Sequence, residues 1–279
     1  MIVRGATLAD VPAITEVHAG SDGPWVDPVE CTLHVNHRLL RPFFIDVAER
    51  DDCVVGYAEW NDSSEPQPHG RHLYLGVLQV HPAHRRSGVG RALVEAGLAR
   101  ARQLGCPCIR TVPADEAKGF YAECGLSRSM SLRTYACRGR SGGLPAGWRR
   151  AAGVPESAVA ELPMRYGWVQ ASSRLMWEIC NRPARVAGER IQHPCSRRVD
   201  GLAYAQLRWL GERPTAMALA WAADGVDPSE VIGAAMALAH GLELRELTFT
   251  APQGNAAYLT ELPHAKQVGT DDVWEVAVA

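Results

Sequence analysis

The chain echoes itself. Ile2-Val3-Arg4-Gly5-Ala6 followed by Asp10-Val11-Pro12-Ala13-Ile14-Thr15-Glu16-Val17 is matched by Trp148-Arg149-Arg150-Ala151 followed by Val154-Pro155-Glu156-Ser157-Ala158-Val159. Each copy reads as a short strand feeding a helix that starts at a proline. Ala99 to Ile109, helix then strand, likewise resembles Ala237 to Leu247. Two copies of one fold are the simplest account, and 279 residues are about twice the commonest domain size. Between the copies lies Arg138-Gly139-Arg140-Ser141-Gly142-Gly143-Leu144-Pro145-Ala146-Gly147, a glycine-rich segment with little to bury. The expected domains are therefore 1–140 and 145–279.

In the first copy, Phe43 to Glu49 and Cys53 to Trp60 read as strands around an Arg50-Asp51-Asp52 turn, with a polar loop from Asn61 to Gly70. Leu73 to Val80 is apolar on both alternating faces, which predicts a central strand covered on two sides. A helix over about 88–104 follows from Val89, Leu93, Ala96, Gly97, Ala101 and Leu104 at helical spacing, stopped by Gly105 and Pro107. A strand from Cys108 to Val112, a short helix from Asp115 to Cys124 and a strand from Leu132 to Cys137 complete the order β-α-α-β-β-β-α-β-α-β. The class is mixed α/β.

Composition excludes several functions. The net charge is −2 and the pI about 6.6, so no global positive field recruits nucleic acid or anionic lipid. The longest apolar run, Ala216 to Ala223, falls far short of the ~18 residues needed to span a bilayer. Met1-Ile2-Val3-Arg4-Gly5 runs straight into a strand pattern, without the apolar stretch of a secretion signal. A cytoplasmic protein with eight reduced cysteines is expected. Cys106-Pro107-Cys108 has no second pair or histidine at ligand spacing, so it reads as a helix exit entering a buried strand, and no metal is expected.

The chemistry is concentrated in Val80-His81-Pro82-Ala83-His84-Arg85-Arg86-Ser87-Gly88-Val89-Gly90-Arg91-Ala92-Leu93. It runs from a buried strand through a glycine turn into a helix N-terminus, where unpaired N–H groups and the helix dipole favour a phosphate or pyrophosphate. Gly88-Val89-Gly90 lacks the third glycine of a dinucleotide fingerprint, and no Gly-Lys-Ser/Thr follows. The stretch closely resembles motif A of the GNAT family, the Gcn5-related N-acetyltransferases, whose (Gln/Arg)-x-x-Gly-x-(Gly/Ala) loop is matched by Arg85, Gly88 and Gly90. Downstream, Ala117-Lys118-Gly119-Phe120-Tyr121-Ala122-Glu123-Cys124-Gly125-Leu126 resembles motif B. It departs at Ala114, where the family often has Asn, and at Leu126, where it has Phe. The resemblance covers residues 1 to about 137 in order and spacing.

The resemblance implies two GNAT-like domains, each a mostly antiparallel mixed sheet with a splayed parallel strand pair and flanking helices. Acetyl-CoA would lie in the V between Leu73–Val80 and Cys108–Val112. The backbone amides of Arg86, Ser87, Gly88, Val89, Gly90 and Arg91, after Arg85, would hold the pyrophosphate, and the main chain of Leu78 and Val80 would pair with the pantetheine arm. The implied reaction is direct attack of an uncharged amine on the thioester through an oxyanion, which needs a base, an oxyanion donor and an acid. Tyr121 matches the tyrosine that protonates the leaving sulfur. Tyr74 stands where some members have a glutamate, so the base is open: Glu59 is the candidate, against the plainer reading of a solvated edge carboxylate, with His72 and a water chain as alternatives.

The acceptor side is implied to be Ser21-Asp22-Gly23-Pro24-Trp25-Val26-Asp27-Pro28-Val29-Glu30, whose three carboxylates around a tryptophan suit a cationic amine or simply form a solvated loop. In the second copy, Ala216 to Ala222 takes the central-strand place and Asp224-Gly225-Val226-Asp227-Pro228 the turn, with carboxylates where a pyrophosphate needs bare amides. That half looks like a degenerate copy, serving in a monomeric pseudo-dimer or a homodimer. Trp168, Trp177, Trp209, Trp221 and Trp274 are core residues or part of such a contact. The expected function is acetyl-CoA-dependent acetylation of a primary amine of a small molecule. The alternatives are acetylation of protein or peptide N-termini and a catalytically silent acyl-CoA sensor.

Overall fold

The computed structural model describes residues 1–19, 28–39, 43–65, 70–138, 142–167, 173–181, 193–209, 215–244 and 246–278. They form two compact units: unit 1 gathers 1–63, 71–127 and 274–279, and unit 2 gathers 64–70 and 128–273.

Unit 1 contains β1 (Ile2–Gly5), α1 (Val11–Ala19), α2 (Pro28–Arg38), β2 (Phe43–Arg50), β3 (Cys53–Ser64), β4 (Arg71–Val80), α3 (Val89–Leu104), β5 (Cys108–Thr111) and α4 (Lys118–Glu123). Its strands follow the order β1-β2-β3-β4-β5, and Trp274–Ala277 of the final strand pairs antiparallel with β5. The parallel pair is β4 with β5. The β2–β3 turn is made by Asp51 and Asp52, both with positive φ (51° and 60°), the arrangement that follows the strand twist in a two-residue hairpin. Aspartate tolerates that region better than most residues, so no glycine is needed.

The expected loop from Asn61 begins four residues later, because β3 continues to Ser64. Neighbouring charges hold its polar residues in the strand. Arg38 Nη1 donates to buried Asn61 Oδ1 at 3.1 Å, and Arg71 Nη2 donates to Asp62 at 3.1 Å. The other elements of the unit lie where periodicity puts them, within a few residues.

Two cores flank the sheet. Leu73, Leu75, Val80, Ala58 and Trp60 pack with α3 residues Val89, Leu93 and Val94, while Ile45, Val47 and Tyr57 pack with Val11, Ile14 and Val17 of α1 and Cys31 and Val35 of α2. Leu78 joins the α3 core and Val77 the α1/α2 core. In a regular strand Leu73, Leu75 and Val77 would share a face, so β4 slips by one residue between Leu75 and Leu78, as a bulge does.

Helix α3 lies close to the sheet because Gly97 faces the Trp60 indole. A Cβ there would sit 2.8 Å from Cζ3 and closer still to two neighbouring ring atoms. Arg100 pairs with buried Asp46 on β2, with Nε 3.2 Å from Oδ2, and stacks 4.6 Å over the Phe44 ring.

Unit 2 contains β6 (Ser127–Cys137), β7 (Trp148–Ala151), α5 (Glu156–Glu161), β8 (Met164–Tyr166), α6 (Ser173–Asn181), β9 (Cys195–Arg198), β10 (Ala203–Trp209), β11 (Thr215–Ala222), α7 (Pro228–His240), β12 (Glu246–Pro252), α8 (Gln253–Thr260) and β13 (Lys266–Ala277), counting β6 and β13 whole. The order is β6-β12-β11-β10-β9-β7, with β8 against β11. Its core sets the alanines of β11 against Val231, Ile232, Ala235 and Leu238 of α7. Small residues on both partners let helix and sheet approach closely. Trp177 and Trp221 are core residues of this unit, and Trp274 packs against the α3 core of unit 1. Trp168 and the Trp209 side chain lie outside the described residues.

Gly97→Ala separates propensity from packing. On an exposed helix the change gains up to about 1 kcal/mol. Here the added methyl must displace Trp60, and overpacking of this kind costs about 1–3 kcal/mol. Net destabilisation is expected, read as a lower urea midpoint at unchanged slope.

Candidate active site

The site begins where β4 and β5 stop pairing. Parallel register holds Leu73 to Ile109, Tyr74 to Arg110 and Leu75 to Thr111, and β5 ends there while β4 continues to Val80. Thr111 Oγ1 donates to Leu75 O at 3.0 Å, closing the last paired position. Beyond it, His81 N donates to Val55 O on β3. The alternation of an antiparallel ladder then turns the main-chain groups of Val80 and Leu78 away from β3, toward the side that β5 has left. The Val80 carbonyl accepts Arg85 Nε at 3.2 Å on that side.

The turn after β4 presents amides. Ser87 Oγ donates to His84 O at 2.6 Å, and Arg50 donates to Ser87 Oγ and Ser87 O, each at 3.2 Å. Arg86 and Gly88 take positive φ of 57° and 87°. The first α3 bond back to the turn runs from Ala92 N to Gly88 O, so the N–H groups of Val89, Gly90 and Arg91 have no acceptor within the helix. A Cβ on Gly88 would meet nothing within 4 Å, whereas one on Gly90 would press on the Phe120 ring at 3.0 Å. Gly88 thus keeps the approach open, and Gly90 admits Phe120 beneath the helix start.

Phe120 meets Tyr121 edge-on, with ring centroids 5.0 Å apart. Tyr121 is buried in the α3 core beside the end of the strand pairing. Burial pushes its phenol up to about 12, with a hydrogen-bonding contact with the Thr111 hydroxyl opposing the shift, so the Tyr121 hydroxyl keeps its proton at neutral pH.

Glu59 lies on the other face of the sheet, toward α1 and α2. It is buried on an interior strand, which corrects the reading of a solvated edge carboxylate. His34 Nε2 is 2.7 Å from its Oε1 and Arg38 Nε 3.5 Å from its Oε2. Burial alone would push the Glu59 carboxyl up; His34, Arg38 and His18 more than offset it and hold the group below the ordinary carboxylate range. Tyr57 Oη contacts the His18 ring, and burial pushes that phenol up. Tyr74 and His72 are buried on β4.

The structure brings Leu78, Val80 and residues 85–91 together at the open end of the strand pair, with Tyr121 at its apex and Glu59 across the sheet. The acceptor segment Ser21–Asp27 lies outside the described residues. Sequence reasoning missed His34, Arg38 and Thr111. A histidine and an arginine four residues apart share one helix face, and that spacing was the available signal for the first two.

In unit 2 the corresponding places are filled. Parallel pairing of β11 with β12 covers Thr215–Met217, and β8 then lies antiparallel on β11, with Tyr166 opposite Ala220. Ala222 N donates to Pro163 O, Gly167 N to Thr250 O and Arg165 Nε to Ala222 O. At the start of α7, Asp227 accepts from Ser229 N at 2.9 Å, and Arg165 pairs with Asp224. The chain's own strand and carboxylates occupy what unit 1 leaves open.

The Acetyltransferase (GNAT) family model matches residues 17–126, and the chain carries a GNAT acetyltransferase domain there. The fold of the whole chain is that of tandem GNAT proteins. A tandem GNAT protein from the clavulanic acid biosynthesis pathway, in a structure without AcCoA, is 17% identical over 100% of this chain and 98% of its own, with a TM-score of 0.62. A GCN5-related N-acetyltransferase from Kribbella flavida is 17% identical over 99% of this chain and 72% of its own, at 0.66. A Pyrococcus horikoshii protein assigned as an acetyltransferase is 16% identical over 99% of this chain and 89% of its own, at 0.65. Among curated proteins no sequence matches significantly. Acyl transfer is the chemistry this family and fold support. Among the described residues no helix is long and apolar enough to cross a membrane.

The cluster under α1 predicts a pH dependence. Burial lowers the His18 imidazole to about 4 from 6.5, so the folded state favours its neutral form. Its contribution is complete above pH 6.5 and is lost as pH falls toward 4, by up to about 3 kcal/mol. Urea midpoints of the wild type should drop across that window, and those of His18→Gln should drop less.

Proposed function

We propose that unit 1 is an acetyl-CoA-dependent N-acetyltransferase acting on a primary amine of a small molecule, and that unit 2 binds no acyl-CoA. The observation that carries this reading is the five-residue extension of β4 beyond β5, leading into a carboxylate-free turn of free-facing amides. Bound there, acetyl-CoA supplies an acetyl thioester as the electrophile.

The amides of residues 86–91 hold the pyrophosphate at the positive end of α3. The main chain of Leu78 and Val80 aligns the pantetheine arm, and a β4 amide near the bulge faces the thioester oxygen. Tyr121, protonated at neutral pH, gives its proton to the leaving sulfur. Glu59 is the centre of the proton-accepting group. Ionised Glu59 and Arg38 largely cancel in charge, so the site suits an amine that reacts in its neutral form.

A panel of amines assayed for free-thiol release from acetyl-CoA tests the activity. Turnover confined to small amines supports the proposal; turnover confined to peptide N-termini favours the protein-acetylating alternative, and binding without turnover favours an acyl-CoA sensor. Calorimetry should give one CoA per chain. Gly88→Asp should abolish that site while the protein stays folded, since a left-handed aspartate costs only about 1–2 kcal/mol and its carboxylate faces the pyrophosphate. Tyr121→Phe should lower kcat by about 10²-fold, the lower end for general acid catalysis because a thiolate departs partly unaided. The acetyl-CoA Kd should be unchanged.

A further inference from the structure

We propose that unit 2 binds a small organic phosphate in a cavity on the α5/α6 face of its sheet. The cavity has a volume of about 430 Å³ and is lined by residues 149–153, Pro155, Arg197 and Tyr204. That is within the range of sites that take small organic molecules. The proposal is independent of the acyl-transfer reading and uses none of its residues.

Strand register builds the cationic wall. Arg149 of β7 stands directly opposite Arg197 of β9, and Arg197 directly opposite Tyr204 of β10. Residues opposite one another in a ladder share a face, so the three side chains form one row across the sheet. The next row on that face is Ala151, Cys195 and Gln206. It lies under α6, because the Asn181 and Gln206 side chains exchange hydrogen bonds of 3.0 and 3.1 Å. The cavity opens over the arginine row, two residues further along the strands. Asn181 Oδ1 also accepts from Val154 N at 3.2 Å, and a Cβ on Gly153 would sit 2.7 Å from that oxygen. The connection from β7 to α5 is thereby pinned against α6 and forms the second wall.

The two faces of these strands treat their cations differently. On the α7 face Arg198 pairs with Asp200 at 3.1 Å and Glu230 at 3.5 Å. Arg150 Nη2 lies there 2.9 Å from where a Cβ of Gly241 would be, at the negative end of α7. On the cavity face, among the described residues, no carboxylate pairs with Arg149 or Arg197. Arg149 is exposed and Arg197 half-buried. Like charges directly opposite on neighbouring strands repel, and a carboxylate ligand would neutralise only one of them. A phosphomonoester, with a charge of about −1.5 to −2 and three acceptor oxygens, answers both guanidinium forks. Tyr204, 5% exposed, and Ala151, Ala152 and Pro155 offer apolar surface beside them for the organic part of the ligand.

Phenyl phosphate, titrated by calorimetry into the full chain, is the probe. Saturable binding is expected, with benzoate weaker by about tenfold or more because it lacks the second charge and the third oxygen. Arg149→Gln and Arg197→Gln should each weaken phenyl phosphate by about tenfold or more, the worth of a charge-assisted hydrogen bond. Neither residue belongs to unit 1, so a phosphate held at the α3 turn is untouched by these substitutions. Without ligand, both variants should match or exceed the wild-type urea midpoint, since each relieves the repulsion across β7 and β9; weakened binding then reports lost contacts and not a lost fold. Absence of saturable binding, phenyl phosphate binding that neither substitution weakens, or benzoate binding as tight as phenyl phosphate overturns the proposal.

Discussion

Everything functional in unit 1 depends on a parallel strand pair that ends early. Three residue pairs join β4 to β5, and Thr111 caps the last one by donating to Leu75 O. Past that point β4 lies beside β3 on one side and, among the described residues, beside no strand on the other, where the Val80 carbonyl accepts Arg85 Nε. Main-chain groups without a strand neighbour need partners, and an extended ligand can supply them as a missing strand would. The slip between Leu75 and Leu78 adds to the effect, because it keeps Leu78 and Val80 anchored in the α3 core while their main-chain groups face the gap.

The same gap explains why the two copies differ. In unit 2 the pairing of β11 with β12 also covers three residues, but Met164–Tyr166 pairs with β11 and satisfies its backbone from within the chain. Asp227 then caps the helix that would otherwise offer bare amides. An internal strand makes such hydrogen bonds without association from solution and without loss of translational freedom. Tyr166 is fixed there, edge-on to Phe249 at 5.7 Å.

On the α1/α2 face, unit 1 gathers a buried carboxylate, a buried guanidinium, the buried His18 imidazole and the partly buried His34 imidazole in one cluster. Such groups are costly to desolvate and are retained where each has a partner. His34 and Arg38 serve Glu59, and Asn61 accepts from Arg38. Holding Asn61 in place also keeps β3 in strand form past Trp60. The polar residues that made this stretch look like a loop are the ones its neighbours require.

The sequence by itself determined the local pieces. Hydrophobic period marked the central strand Leu73–Val80 and the helix after it; Gly88 and Gly90 marked the glycine turn between them; Phe120-Tyr121 and Gly125 marked the second motif; and Asp224 and Asp227 marked a second turn that carries carboxylates. These are short-range properties, fixed by side-chain alternation, positive φ and helix-end chemistry. Tertiary structure alone decided the length of the β4–β5 pairing, the filling of the second V by β8, the exchange of Glu59 from a solvated edge to a buried ion-pair network, and its partnership with His34. Each depends on which strand lies beside which, and residues 25 or more positions apart meet only after the sheet has formed.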